Sequence, residues 1–180
     1  MLHCCNNVAM AETEENDEIL IGRYARGDAT AFDQLYRRHE LGVWRYLERN
    51  VGDQDTSDDL LQEIWLALAR NAASLESVTR FRTRLFTLAH DRMTVFLRAR
   101  TSKGTTVSRP APAAPDDPAN ALVRAIGQLT SEERGAYLLQ MEGQLSLGEI
   151  AEITESTVDT VEGRLHIARL KLHEFLSEKA

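Results

Sequence analysis

The chain has 180 residues, 43% hydrophobic and 27% charged, with a formal net charge of −7 at pH 7. That is room for one large domain or two small ones of soluble globular composition, and no apolar run approaches the roughly 20 residues needed to span a bilayer. The start, Met1-Leu-His-Cys-Cys-Asn-Asn, has neither the basic opening nor the apolar stretch of a signal peptide, which predicts a cytoplasmic location.

Residues 1–16 read as a disordered extension, with an acidic, polar run at 11–17. Cys4 and Cys5 are adjacent, a spacing that strains a mutual disulfide, and no second ligand pair accompanies them. A first helix is predicted to start near Asp17, with Ile19, Leu20 and Tyr24 as its apolar residues. Gly27-Asp28 ends it, and Asp28 is placed to cap a second helix over 29–50. There Phe32, Leu35, Tyr36, Val43, Trp44 and Leu47 recur at helical spacing. After a Gly52-Asp53 turn, a third helix is predicted from Thr56 or Ser57, striped by Leu60, Leu61, Ile64, Trp65 and Leu68. Asp58 and Asp59 then fall in its first turn, where the helix dipole favours them, and Trp65 is expected exposed or half-buried. Residues 71–79 read as a polar loop. A fourth helix over 80–100 carries Phe81, Leu85, Leu88, Ala89, Phe96 and Leu97.

Residues 101–120 hold all four prolines and few apolar side chains, the composition of a flexible linker. Four more helices are predicted at about 120–128, 131–142, 146–153 and 157–177. No strand pattern appears. The fold class is all-α: two small helical domains, 17–100 and 121–180, joined by a Pro-rich linker, the second a helix-turn-helix built from 146–153, the turn at 154–157, and the helix that follows.

Charge is unevenly distributed. Residues 80–109 contain eight basic residues and one acid, Asp91, while acids dominate on both sides. A basic stretch interleaved with Phe81, Phe86 and Phe96 can track a phosphate backbone, although the phenylalanines also fit a core. In a helix-turn-helix the second helix offers its N-terminal residues to base edges. Here those are Ser156, Thr157, Asp159, Thr160 and Glu162, then Arg164, His166 and Arg169, with Val158, Val161, Leu165 and Ala168 on the buried face. Carboxylates suit only the cytosine amino group, so Asp159 and Glu162 are costly beside phosphates. Asp59 and Glu63 stand four residues apart, but no histidine joins them. No phosphate-binding glycine loop and no nucleophile motif is present. Neither metal, cofactor nor catalysis is expected.

Three stretches together resemble one family. Asp28-Ala-Thr-Ala-Phe-Asp-Gln-Leu-Tyr-Arg-Arg-His and Thr56-Ser-Asp-Asp-Leu-Leu-Gln-Glu-Ile-Trp are similar to the opening helices and acidic motif of extracytoplasmic-function (ECF) sigma factors of bacterial RNA polymerase. Phe81 to Arg98 resembles the family's minus-ten helix, and the C-terminal helix-turn-helix its minus-thirty-five reader. The chain departs from the family at Arg84 (usually Trp), His90-Asp91 (usually Arg-Asn), Val95 (usually Asp), Glu155 (usually Gly) and Glu162-Gly163 (usually Lys-Ser).

The resemblance implies that core RNA polymerase is bound through Asp58, Asp59, Leu61, Gln62, Glu63 and Trp65. It places the opening and holding of the minus-ten element on Arg80, Arg82, Arg84, Arg92, Arg98 and Arg100, helped by the 71–83 loop, and leaves room for an anti-sigma factor. The alternatives are a DNA-binding regulator that works without polymerase and a degenerate sigma whose acidic reader binds protein.

Overall fold

The computed structural model describes residues 15–71, 80–102 and 118–177. Among them are eight helices: α1 (Asp17–Ala25), α2 (Ala29–Val51), α3 (Gln54–Arg70), α4 (Phe81–Ser102), α5 (Pro118–Gly127), α6 (Ser131–Met141), α7 (Leu147–Ile153) and α8 (Val158–Ser177). The described residues contain no strand, and the all-α prediction holds. Residues 1–14 of the expected N-terminal extension, 72–79 of the expected 71–79 loop and 103–117 of the proline-rich linker lie outside the described residues. At the linker's ends, however, α4 continues through Ser102 and α5 opens at Pro118, a residue type that suits a helix's first turn.

Short polar side chains set most of the helix starts. Asn16, Asp28 and Asp53 accept hydrogen bonds from the backbone N–H groups of Glu18, Thr30 and Thr56. The Asp53 cap moves the start of α3 forward to Gln54, so Asp58 and Asp59 lie in its second turn and are not cap residues. Thr130 with Glu133, and Ser146 with Glu149, form two reciprocal capping boxes. Lys171 of α8 also reaches both Glu133 oxygens at 2.8 Å. Burial raises the Glu133 carboxyl, but the bonds from Lys171 and Thr130 hold it below its ordinary value.

The N-terminal unit packs α1 on α2, with α3 and α4 closing the core. Leu20, Ile21, Leu35, Val43, Leu47, Ile64, Phe81, Leu85 and Phe86 are buried there, whereas Ile19, expected in the α1 stripe, is exposed. Asp17 ties three helices together. It accepts from Arg38 at 2.6 Å, lies 2.7 Å from His39 Nε2, and is 4.0 Å from Arg82 of α4. Burial pushes this carboxyl up, but bonding to His39 and Arg38 wins and holds it low. Tyr46 of α2 is fully buried and hydrogen-bonds His90 Nδ1 of α4 at 2.8 Å. Burial keeps that imidazole below its ordinary pKa.

In the C-terminal unit α8 is the central strut, touching α5, α6 and α7 through Val161, Leu165, Ala168 and Leu172. Val158, assigned to that buried face by its spacing, is 44% exposed because it sits in the first turn, ahead of the contact with α7. The α7 turn has an unusual residue at its key position. Ser156 N–H bonds the Ala151 carbonyl at 3.0 Å around Thr154, which leaves Glu155 with φ of 49°. This left-handed position after a helix is one glycine normally occupies. Glu155→Gly is expected to stabilise the protein by about 0.5–1 kcal/mol, the relief of left-handed strain less glycine's extra freedom when unfolded; an unchanged or lowered urea midpoint would count against this account of the turn.

The two units, expected only to be tethered, also pack on each other, with α2 and α4 against α5, α6 and α7. Arg49 is paired with Glu142, and Arg45 lies 3.9 Å from the same carboxylate. Gly42 of α2 lies so close to the Glu142 backbone that an added Cβ would sit 3.1 Å from its carbonyl oxygen. Arg80 pairs with Glu152 at 3.0 Å, Arg82 donates to Gln144 at 3.2 Å, and the Thr83 hydroxyl donates to Glu149.

Candidate polymerase and DNA surfaces

The expected polymerase residues divide by helix face. Leu61 and Trp65 point inward, 8% and 5% exposed, while Asp58, Asp59, Gln62 and Glu63 are exposed. Trp65 is therefore not a surface anchor. Its ring meets Phe32 edge-on with centroids 5.6 Å apart and lies 5.0 Å from Tyr36. The apolar residue on the outer face is Leu66, 44% exposed, one turn beyond Gln62. Residue-by-residue rotation of about 100° separates Leu66 from Trp65, and Trp65 falls in line with Leu61 and Leu68, which is the signal that tells them apart. Asp58 accepts a 2.7 Å hydrogen bond from the Trp44 indole, which fixes one end of the acidic face.

The arginines at 80–100 also fall into two groups. Arg84, Arg92 and Arg98 are exposed and have no ion-pair partner among the described residues, and Arg100 is half-buried. Arg80 and Arg82 face the C-terminal unit instead, in the contacts already described. Phe81 and Phe86 are core residues and Phe96 is partly buried, so none of the three is a free stacking platform.

On α8, Asp159, Glu162 and His166 are exposed. Thr157 accepts from Thr160 N–H at 3.2 Å, and its hydroxyl also bonds the Thr160 hydroxyl, so both serve the helix start. Ser156 is half-buried and bonded to Thr154. Arg169 is exposed and donates to Gln140 at 2.7 Å. Arg164 departs from expectation. It is half-buried and lines a cleft of about 970 Å³ between the units, together with Arg49, His90, Arg98, Arg134 and Glu132. The outward front at the start of α8 is thus acidic, with Arg164 turned inward and Arg169 exposed two turns beyond Glu162.

Residues 35–103 match the family model for sigma-70 region 2, and residues 119–172 match that for sigma-70 region 4. RNA polymerase sigma factor CarQ of Myxococcus xanthus is 32% identical over 165 residues, covering 87% of this chain and 95% of that protein. ECF sigma factor SigM of Mycobacterium tuberculosis is 29% identical over 172 residues, covering 91% and 86%. The chain belongs to the ECF group of RNA polymerase sigma factors. As an ECF sigma factor it directs core RNA polymerase to specific promoters at initiation, and its partners are core polymerase and promoter DNA. Sigma factors are initiation factors and not enzymes. Solved structures share the fold: CnrH in complex with the cytosolic domain of CnrY has a TM-score of 0.67 at 24% identity, covering 91% of this chain and 99% of that one. RpoE in complex with the anti-sigma factor NepR from Bartonella quintana has a TM-score of 0.70 at 20% identity, covering 81% and 96%. Among the described residues of this sigma factor, no helix is long and apolar enough to cross a membrane.

Proposed function

We propose that this ECF sigma factor divides its work among three exposed faces. The outer face of α3, with Asp58, Asp59, Gln62, Glu63 and Leu66, docks core polymerase. The exposed guanidinium groups of Arg84 and Arg92 on α4 hold the minus-ten DNA while it opens, as does that of Arg98, which also lines the cleft between the units. The start of α8, with Asp159, Glu162 and His166, reads the minus-thirty-five element. The minus-ten unit spans 17–102 and the reader unit 118–177, the chain works in the cytoplasm, and it performs no catalysis of its own. An anti-sigma factor is a further proposed partner, since the RpoE structure carries one.

The observation that carries this assignment is the set of exposed arginines on α4, Arg84, Arg92 and Arg98, that have no ion-pair partner among the described residues, in a protein of net charge −7. A cation without an internal partner is available to phosphate. The test is thymine reactivity to permanganate in a reconstituted holoenzyme. Arg84→Ala with Arg92→Ala should remove the open-strand signal while polymerase binding stays intact, and a full signal would contradict the assignment.

The acidic front of α8 favours one second reading, a reader that binds protein. Glu162→Lys separates the two. If Glu162 accepts from a cytosine amino group, the variant weakens the cognate upstream element by about 1–3 kcal/mol and relaxes selectivity at one base pair. If Glu162 only stands near phosphates, every DNA is bound more tightly, with a steeper salt dependence. No change on any DNA would leave the protein-binding reader. With Arg164 turned inward, no α8 cation close to Glu162 remains to offset its repulsion, so we expect the base-reading outcome.

A further inference from the structure

One apolar side chain stands out among the α4 cations: Val95 is 65% exposed. A lone surface valine is ordinary, but its neighbours make this one informative. Residues three and four apart share a helix face. For Val95 these are Asp91, Arg92, Arg98 and Ala99, and all four are exposed. They form one outward ridge, while Phe81, Leu85, Phe86, Ala89 and Met93 bury the other side of the same helix. The helical rise sets Arg92 and Arg98 about 9 Å apart along the axis, with Val95 midway.

The ridge suits one strand of DNA in a particular way. Its guanidinium groups attract phosphates, and the Asp91 carboxylate repels one. The backbone is therefore held at the arginines, and a base edge faces the middle of the ridge. The side chain there makes no hydrogen bond. What it can bury is a methyl group, and of the four bases only thymine presents one, at C5. Ala99 is small and leaves the base room to approach. We propose that Val95 is a specificity-determining residue that packs on the 5-methyl of one minus-ten thymine, between phosphates held by Arg92 and Arg98. This rests on the assignment of α4 to the minus-ten element and adds to it a preferred base.

Deoxyuridine pairs with adenine as thymidine does but lacks the methyl, so it removes the contact from the DNA side. Val95→Ala removes it from the protein side, at an exposed helical position where alanine is well tolerated. Holoenzyme is formed on the promoter that gives the strongest run-off transcript from a promoter library, and each minus-ten thymine is replaced in turn. Gel mobility of the holoenzyme–DNA complex reads binding. Replacing one particular thymine should weaken the wild-type complex about fourfold, the worth of one buried methyl. The same replacement should change the Val95→Ala complex by less than about twofold. Any effect of uracil on duplex stability is common to both proteins and cancels in the comparison. Losses that match in the two proteins at every position would overturn the proposal, as would a minus-ten element without thymine. In either case, a lost permanganate signal in Arg84→Ala with Arg92→Ala leaves the minus-ten assignment standing. If that variant keeps its signal, the assignment falls and the role of Val95 falls with it.

Discussion

Asp59→Arg combined with Gln62→Ala should lower affinity for core polymerase by at least about 30-fold, the loss of roughly 2 kcal/mol or more typical of central contact residues. Both side chains are exposed and have no hydrogen bond among the described residues, so the fold should not register the change beyond about 0.5 kcal/mol. The helix itself is held by Asp53 at its cap and by Leu60, Leu61, Ile64, Trp65 and Leu68 on its inner face. On the proposed docking role of α3, reversing one charge on its acidic outer face should repel a basic partner surface. Pull-down with core polymerase and far-ultraviolet circular dichroism check the two halves of the expectation. Undiminished binding with helicity intact would remove α3 as the docking element.

Trp65→Ala, one turn along the same helix, is expected to do the opposite. Its indole fills the space between Phe32 and Tyr36, and truncating a buried aromatic costs about 3–5 kcal/mol. That is a large share of the about 5–15 kcal/mol that holds a domain together. Urea unfolding should show the full loss, and polymerase binding should fall only as far as the folded fraction does. The indole N–H finds no acceptor among the described residues, so no hydrogen bond adds to the loss. A loss under about 1 kcal/mol, with binding abolished in the folded variant, would return Trp65 to the polymerase surface.

The contrast between these two residues shows what the sequence conveys. The apolar stripes of α2, α3 and α4 locate the helices and most of the core, because burial follows the 3.6-residue period closely in a small helical unit. The position of Asp28 before Ala29 predicts its cap. Choosing among Asp53, Asp55, Asp58 and Asp59 is harder, since several acids compete for one cap and the backbone at Asp53 decides. The capping boxes at Thr130 and Ser146 were legible as Thr or Ser followed three residues later by Glu. Helical spacing also joins Trp65 to Leu61 and Leu68, and a preference for exposed aromatics at interfaces obscures it.

Contacts between the units could not be read in the same way. Arg49 and Glu142 are 93 residues apart, and Arg80 and Glu152 are 72 apart. Helical periodicity carries no information at such separations. Only the alternation of acidic, basic and acidic segments hints at them, and it does not say which arginines are covered. The inward turn of Arg164 has the same origin: its helix position is legible, but the cleft it faces is made by the other unit. For Glu155 the family's usual glycine points to a left-handed backbone, and the φ of 49° bears that out.

Run-off transcription tests the central claim most directly, that the α3, α4 and α8 faces act together to give polymerase its promoter. Core polymerase is supplied with a promoter library and the wild-type chain, the Asp59→Arg/Gln62→Ala variant, or the Arg84→Ala/Arg92→Ala variant. The account predicts a defined set of transcripts with the wild type and none with either variant, although the second still binds polymerase. Equal transcription from the wild type and the α4 variant would contradict it.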